Sequence, residues 1–137
     1  MRGSVIIKAS LSFLLVFCLL TAHGRAEEIF KTISPRQAAD LISQKKGANG
    51  FVILDVRTTA EFETGHIHNA ILLDYYSKDF FSDLDRLDRT KTYLIYCRSG
   101  TRSGKTLRLL EEMGFRQVYN MAQGIIGWRK NEFPVTH

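Results

Sequence analysis

A cysteine followed by small residues and two arginines is the part of this sequence with the clearest chemistry. Cys97 follows the apolar segment 92–96, which is typical of a buried strand, and it precedes Arg98, Ser99, Gly100, Thr101 and Arg102. Thiolates are nucleophiles, and guanidinium groups bind oxyanions. The pattern therefore predicts a nucleophilic thiol at the end of a strand, inside an anion-binding loop that opens a helix.

The residues after Cys97 also predict how the thiol is activated. A free thiol, with a pKa of about 8.5, is mostly protonated at neutral pH. A helix N-terminus stabilises an anion by up to about 2 kcal/mol, and consecutive N–H groups of a curled loop form an anion nest. Ser99, Gly100 and Thr101 are small enough for those groups to point inward, and Gly100 permits a positive φ. The alternative is a buried, inert cysteine, but the polar sequence after Cys97 favours the nucleophile.

The elements that position this loop alternate between strand and helix. Strands are predicted at 29–33, 51–54, 70–73, 92–96 and 116–119, and helices at 35–46, 58–65, 101–113 and 123–130, with a weakly amphipathic acidic stretch at 75–88. Ser34 before Pro35 is typical of a helix start, and Thr58 with Glu61 fits a capping box. Strands separated by helices predict a parallel sheet covered on both faces. Ligands bind beyond the carboxyl ends of such strands, where Cys97 is placed.

The first 26 residues have the features of a secretory signal peptide. Arg2 and Lys8 give a positive start, residues 11–20 are apolar apart from Ser12, and Gly24-Arg25-Ala26 supplies small residues at a cleavage site. The apolar run is too short to span a bilayer comfortably, which disfavours an uncleaved membrane anchor. We therefore predict a signal peptide at 1–26 and one exported domain at 27–137, without stable membrane association after cleavage. A second cleavage site, two residues earlier, stays open.

Removal of this leader changes the charge and the cysteine count. The whole chain carries a net charge of +5, and loss of Arg2, Lys8 and Arg25 leaves 16 basic and 14 acidic residues, or +2. No long basic run or basic, aromatic-interleaved helix face is present, so nucleic-acid binding is not predicted. Cys97 becomes the only cysteine, which excludes an internal disulfide.

Several ordered motifs between residues 33 and 134 carry a family resemblance. They are Leu54-Asp55-Val56-Arg57, Glu61-Phe62, Gly65-His66-Ile67 with Ala70, Cys97-Arg98-Ser99-Gly100-Thr101-Arg102, and Gly127-Trp128. Together they resemble the motifs of a single-domain rhodanese, a thiosulfate sulfurtransferase. The resemblance implies a three-layer α/β fold with a mainly parallel five-stranded sheet flanked by helices. With the leader, the chain most resembles the small periplasmic rhodaneses of bacteria, so we predict a periplasmic location.

The resemblance also implies a reaction. Cys97 would take sulfane sulfur from thiosulfate, become a persulfide, and pass the sulfur to cyanide or another thiophilic acceptor, including a sulfur-accepting protein. Residues 98–102 would bind the anionic donor, and no cofactor is implied. Two departures from the family pattern affect local turns: His68-Asn69-Ala70 stands where Pro-Gly-Ala is frequent, and Gln123-Gly124 stands where a Gly-Gly pair is common.

The length of the loop distinguishes sulfur chemistry from phosphorus chemistry. Phosphatases that use a cysteine and an arginine place five residues between them. Here four residues separate Cys97 from Arg102, and Ser103 occupies the phosphatase arginine position. The shorter loop fits a terminal sulfur better than a tetrahedral phosphate, so the spacing favours sulfur transfer.

Other conspicuous residues are predicted to be structural. Arg57 is expected to form an ion pair or turn network with Glu61. His66 and His68 lack a third ligand at metal-binding spacing, so a turn role is favoured over a metal site. The large aromatic side chains expected to pack the final helix are Trp128 and Phe133.

Two functional classes remain open from the sequence. One is a sulfurtransferase that turns over. The other is a non-catalytic persulfide carrier or binding module that serves a dedicated partner. Both classes need Cys97 and the same loop, so the sequence does not separate them.

Overall fold

The computed structural model of the protein describes residues 27–137 and shows a five-stranded sheet between two layers of helices. The strands are β1 (Ile29–Ile33), β2 (Phe51–Asp55), β3 (Ile71–Leu72), β4 (Thr92–Tyr96) and β5 (Gln117–Met121), and the helices are α1 (Pro35–Gln44), α2 (Thr59–Glu63), α3 (Phe80–Asp85), α4 (Thr101–Glu112) and α5 (Gly124–Lys130). The strand order is β1-β5-β4-β2-β3, and each pairing is parallel. This architecture confirms the predicted α/β fold.

The central strand β4 separates two hydrophobic cores. All five of its residues are buried, because helices cover both faces of the sheet. Tyr93 and Ile95 join α3 and α4 in one core, whereas Leu94 and Tyr96 join α1 and α5 in the other. Since α4 follows β4 on one face and α5 follows the neighbouring β5 on the opposite face, the crevice between these strands is a topological switch point.

Local capping fixes the helices that were predicted from capping motifs. Ser34 and Gln37 form a complete capping box before α1, and Thr58 and Glu61 form another before α2. Each side chain satisfies a backbone N–H group that the first helical turn leaves without a partner. The predicted N-cap at Ser34 and the predicted capping box at Thr58 are confirmed, and the structure adds the reciprocal contact of Gln37.

The structure differs from the prediction at the edge of the sheet. β3 contains two residues and pairs only with β2, and Ile71 is 53% exposed. The acidic stretch 75–88 contains the short helix α3.

β5, the last strand in the chain, lies inside the sheet between β1 and β4. Strand order depends on contacts between distant segments, which local patterns do not encode.

At both positions where the sequence departs from the family pattern, the backbone has the left-handed conformation that favours glycine. Asn69 has a φ of 63° and Gln123 has a φ of 60°, a left-handed conformation that costs a residue with a Cβ roughly 1–2 kcal/mol. Asn69 and Gln123 therefore adopt a backbone conformation that glycine takes without this cost.

The predicted signal peptide at 1–26 lies outside the described residues. Among residues 27–137, the structure has no helix long and apolar enough to cross a membrane.

Candidate active site

Cys97 lies directly beyond the carboxyl end of β4 and is 1% exposed. The loop that follows it turns at Gly100, whose φ is 99°, and enters α4 at Thr101. The predicted positive φ of Gly100 is therefore confirmed. A Cβ at this position would stand 3.3 Å from the backbone nitrogen of Gln123, so the turn requires glycine for its conformation and has little room for a side chain.

Two groups donate hydrogen bonds to the sulfur of Cys97. The Gly100 N–H lies 3.1 Å from Sγ, and the Ser103 hydroxyl oxygen lies 3.4 Å from it. Burial by itself would raise the pKa of Cys97, but these two hydrogen bonds, with contributions from the nearby N–H groups of Ser103 and Ser99, outweigh that effect and lower the pKa below the usual thiol value. The site therefore stabilises a thiolate, which is the nucleophilic form of cysteine.

Ser103 is a site residue that sequence reasoning missed. It was noted only as occupying the position of the phosphatase arginine. In the structure it is fully buried in the first turn of α4, and its hydroxyl is directed at Sγ. The signal available in the sequence was its position six residues after Cys97, just inside a helix whose N-terminus was already expected to face the thiol.

The N-terminus of α5 holds the other side of the loop. The N–H of Ile125 donates to the carbonyl of Cys97 at 2.9 Å, and the N–H of Ile126 donates to the carbonyl of Arg98 at 3.2 Å. Gly124 permits this approach, because a Cβ there would stand 2.6 Å from the carbonyl carbon of Arg98. The loop is thus held between two helix N-termini, with the carbonyls of Cys97 and Arg98 bound by α5 and the Gly100 N–H directed at the sulfur.

Arg102 is paired with Glu61. Its two terminal nitrogens donate to the two carboxylate oxygens at 2.8 and 2.7 Å, and its guanidinium lies 5.6 Å from the centre of the Tyr76 ring. The hydrogen bonds from Arg102 and the cap contacts with Thr58 lower the pKa of Glu61 from 4.5 to about 2. Two of the five guanidinium N–H donors are used in this pair, so Arg102 keeps donors for a substrate anion.

Arg98, Ser99 and Thr101 are exposed at the mouth of the loop. The hydrogen bonds and ion pairs of the described residues include none from the side chain of Arg98. The structure therefore gathers the whole predicted set around the thiol, with Arg102 anchored by a carboxylate and Arg98 open to water. Contact of either arginine with a sulfur donor stays a prediction.

The predicted pairing of Arg57 with Glu61 is wrong. Arg57 binds Asp55, with a distance of 2.6 Å between Nη2 and Oδ2, and also donates to the Gly65 carbonyl at 2.9 Å. Arg57 is 2% exposed and Asp55 is fully buried. The two residues lie two positions apart at the end of β2, so each neutralises the buried charge of the other. Glu61 instead faces α4.

The remaining predictions concern histidines and aromatic residues. His66 stacks on Phe62 with ring centres 3.6 Å apart, and within residues 27–137 no group of three or more His, Cys, Asp or Glu side chains could hold a metal ion. Trp128 packs on Phe133 with ring centres 4.8 Å apart, as expected for the final helix.

Comparisons with known proteins find similar sequences and structures over most of the described chain. The thiosulfate sulfurtransferase GlpE of Glaesserella parasuis serovar 5 is 30% identical over 109 residues, which cover 80% of this chain and 95% of GlpE. The probable adenylyltransferase/sulfurtransferase MoeZ of Mycobacterium tuberculosis is 28% identical over 119 residues, which cover 86% of this chain and 30% of MoeZ. A rhodanese-related protein from Thermoplasma volcanium has a solved structure that aligns with a TM-score of 0.66 at 25% identity, covering 78% of this chain and 98% of that one.

The family itself follows from one further match. A model of the rhodanese-like domain matches residues 34–131, which include every element from α1 to α5 and the whole Cys97 loop. The chain therefore belongs to the rhodanese family.

Proposed function

We propose that this protein transfers sulfane sulfur from thiosulfate to cyanide or another thiophilic acceptor through a persulfide on Cys97. The observation that carries the proposal is the pair of hydrogen bonds from Gly100 and Ser103 to Sγ. They favour a thiolate, and after transfer the loop N–H groups can hold the anionic terminal sulfur. The similarity to relatives named thiosulfate sulfurtransferase supports thiosulfate as the donor.

The proposed reaction has two steps. The Cys97 thiolate attacks the outer sulfur of thiosulfate, the sulfur–sulfur bond of the donor breaks, and sulfite leaves with the electron pair. The acceptor then attacks the terminal sulfur of the persulfide, which forms thiocyanate when the acceptor is cyanide, and the thiolate is restored. Neither step needs a protein proton donor, which fits a thiol whose hydrogen bonds in the described residues come from Gly100 and Ser103.

The presence of Ser103 supports sulfur over phosphate as the transferred group. A phosphoryl group brings charged oxygens that need an arginine at the end of the loop, whereas Ser103 offers one neutral hydroxyl. The small size of Ser103 also lets it reach Sγ from inside the first turn of α4.

Intact-mass measurement before and after incubation with thiosulfate tests the persulfide. We expect the protein to gain the mass of one sulfur atom, to lose it on addition of cyanide, and to turn over in a thiosulfate:cyanide assay. Cys97→Ser should remove both loading and turnover. Loading of Cys97→Ser would contradict the proposal.

The same experiment separates the two functional classes. A carrier that serves one partner would load sulfur from thiosulfate and keep it in the presence of cyanide. MoeZ combines adenylyltransferase and sulfurtransferase in its name, which makes a sulfur-accepting protein a reasonable second acceptor for this chain. Loading without cyanide turnover would favour that carrier role.

We also propose that residues 1–26 direct export to the bacterial periplasm and are then removed. The support is the positive start, the short apolar run and the small residues before Glu27. N-terminal sequencing of the exported protein should find Glu27. Membrane-bound protein that still begins at Met1 would contradict this proposal.

A further inference from the structure

A groove lies at the amino ends of the strands, opposite to the carboxyl ends where Cys97 lies. This groove, which we call the amino-edge groove, has a volume of about 520 Å³, within the range of small-molecule sites. It lies between the C-terminal half of α1, the start of β2 and the segment after α5. Its apolar lining comes from the α1/α5 core: Ala39, Ile42, Phe51, Ile53, Trp128 and Phe133.

The lysine and carboxylate content of its lining makes the groove positively charged. Lys45 and Lys46 line it, and no aspartate or glutamate does. Within the part of the chain that the structure describes, neither lysine takes part in an ion pair. An amphipathic lysine can lay its apolar stem along such a wall and keep its ammonium group at the rim.

The lysine side chains are also not needed to cap α1. The backbone N–H groups of Lys45 and Lys46 donate to the carbonyls of Leu41 and Ser43, and the N–H of Ala48 donates to the carbonyl of Lys45. The turn therefore satisfies these carbonyls at the helix end by itself. Both ammonium groups remain available for an anion outside the protein.

We propose that the amino-edge groove binds a small amphipathic organic anion, a carboxylate with an apolar body. The apolar lining would take the body out of water, and the two lysines would meet the carboxylate at the rim. The leader of this chain fits the groove poorly, because its three charged residues, Arg2, Lys8 and Arg25, are all positive and the lysines would repel them.

Fluorescence can follow occupancy directly, because Trp128 lines the groove and is the only tryptophan in the chain. The full chain is expressed from Met1, purified as it accumulates, and titrated below the micellar range with decanoate, decanol and decyltrimethylammonium. We expect a saturable change with decanoate, at least tenfold weaker binding of the cation, and intermediate binding of the neutral alcohol.

Two pairs of variants assign the binding to the groove. Lys45→Glu/Lys46→Glu should weaken decanoate binding about tenfold and leave decanol binding unchanged, whereas Lys78→Glu/Lys105→Glu, the same charge change on the side of α3 and α4, should alter neither. Ile42→Ala should weaken both ligands, and Leu107→Ala, which affects the core on the opposite face, should not. Circular dichroism checks that each variant is folded.

Three results would overturn the proposal. They are the absence of a saturable response to decanoate, equal affinity for decanoate and the cation, or loss of binding in the Lys78/Lys105 variant but not in the Lys45/Lys46 variant. Binding to phosphatidylglycerol vesicles without binding to monomeric decanoate would identify a membrane surface instead. Sulfur transfer from thiosulfate is measured separately, so its failure would not affect this conclusion.

Discussion

Two arginine–carboxylate pairs stand at the same edge of the sheet and differ in almost every physical respect. Asp55 and Arg57 are two residues apart and buried, with side chains 0% and 2% exposed. Glu61 and Arg102 are 41 residues apart, and their side chains are 27% and 15% exposed. The first pair closes a turn within one segment, whereas the second joins α2 to α4, the helix that follows the Cys97 loop.

The buried pair therefore matters most for the stability of the fold, and the partly exposed pair for the charge around Cys97. A buried charge that loses its partner cannot be hydrated, so breaking a buried pair is strongly destabilising. A partly exposed pair contributes little to folding because water replaces the partner at small cost. Its arginine nevertheless lies close enough to Cys97 for their charges to interact, and in the proposed reaction it would also meet the incoming dianion.

The largest expected effect comes from the buried pair. Asp55→Ala should lower the free energy of unfolding by about 3–5 kcal/mol, because Arg57 would stay buried without a counter-charge. Glu61→Ala should lower it by about 1 kcal/mol, through loss of the surface pair and of the cap on α2. Urea unfolding of both variants measures the contrast. Equal losses would show that burial does not distinguish the two pairs.

The next effect is kinetic and concerns the exposed pair. Arg102→Ala should reduce kcat/KM for thiosulfate. The reduction should correspond to a loss of about 1.5–3 kcal/mol in transition-state stabilisation, the value of a hydrogen bond to a charged group. The loss should be smaller with an uncharged organic trisulfide, and Arg102→Lys should recover only part of it because an ammonium group lacks the planar fork.

Arg98→Ala is the matched control for this prediction. Its exposed guanidinium is hydrated and screened, so we expect a smaller loss than for Arg102→Ala. If Arg102→Ala loses equally with charged and neutral donors, Arg102 shapes the loop and does not bind the anion.

A smaller effect should appear in acid. The pKa of Glu61 is about 2 in the folded protein and 4.5 ordinarily, so the folded state holds this proton more weakly than the unfolded state. The stability that Glu61 provides is present above pH 4.5 and is lost as the pH falls towards 2. Solvent screening of the partly exposed pair reduces this contribution to about 1 kcal/mol at most.

Unfolding free energies of wild type and Glu61→Gln between pH 2 and pH 6 measure that contribution. The difference between the two proteins should shrink as the pH falls. A difference that stays constant over this range would contradict the assigned role of the Glu61 charge.

The smallest effect would come from removing only the charge of Glu61. In Glu61→Gln the positive charge of Arg102 is no longer balanced, so the KM for thiosulfate should fall, by about 0.5–1 kcal/mol in binding free energy. The double variant Glu61→Gln/Arg102→Ala should recover part of the Arg102→Ala loss, because no unpaired carboxylate would remain beside the thiol. An unchanged KM in the single variant would show that Glu61 does not moderate the charge of the site.

The sequence by itself determined the features that depend on neighbouring residues. The capping boxes at Ser34 and Thr58, the strand before Cys97 and the positive φ of Gly100 follow from local backbone preferences and short-range hydrogen bonds. Cys97 could be proposed as the nucleophile for the same reason, since its small neighbours and the following helix lie within a few residues.

Only the tertiary structure decided the partners that approach from distant segments. In the folded protein, Glu61 pairs with Arg102 and not with Arg57. The Ser103 hydroxyl donates to the sulfur, and N–H groups of α5 donate to carbonyls of the Cys97 loop. The tertiary structure also put β5 in the interior of the sheet. Side-chain charge and size limit which contacts are favourable, but the packing of helices on the sheet determines which of the favourable partners meet.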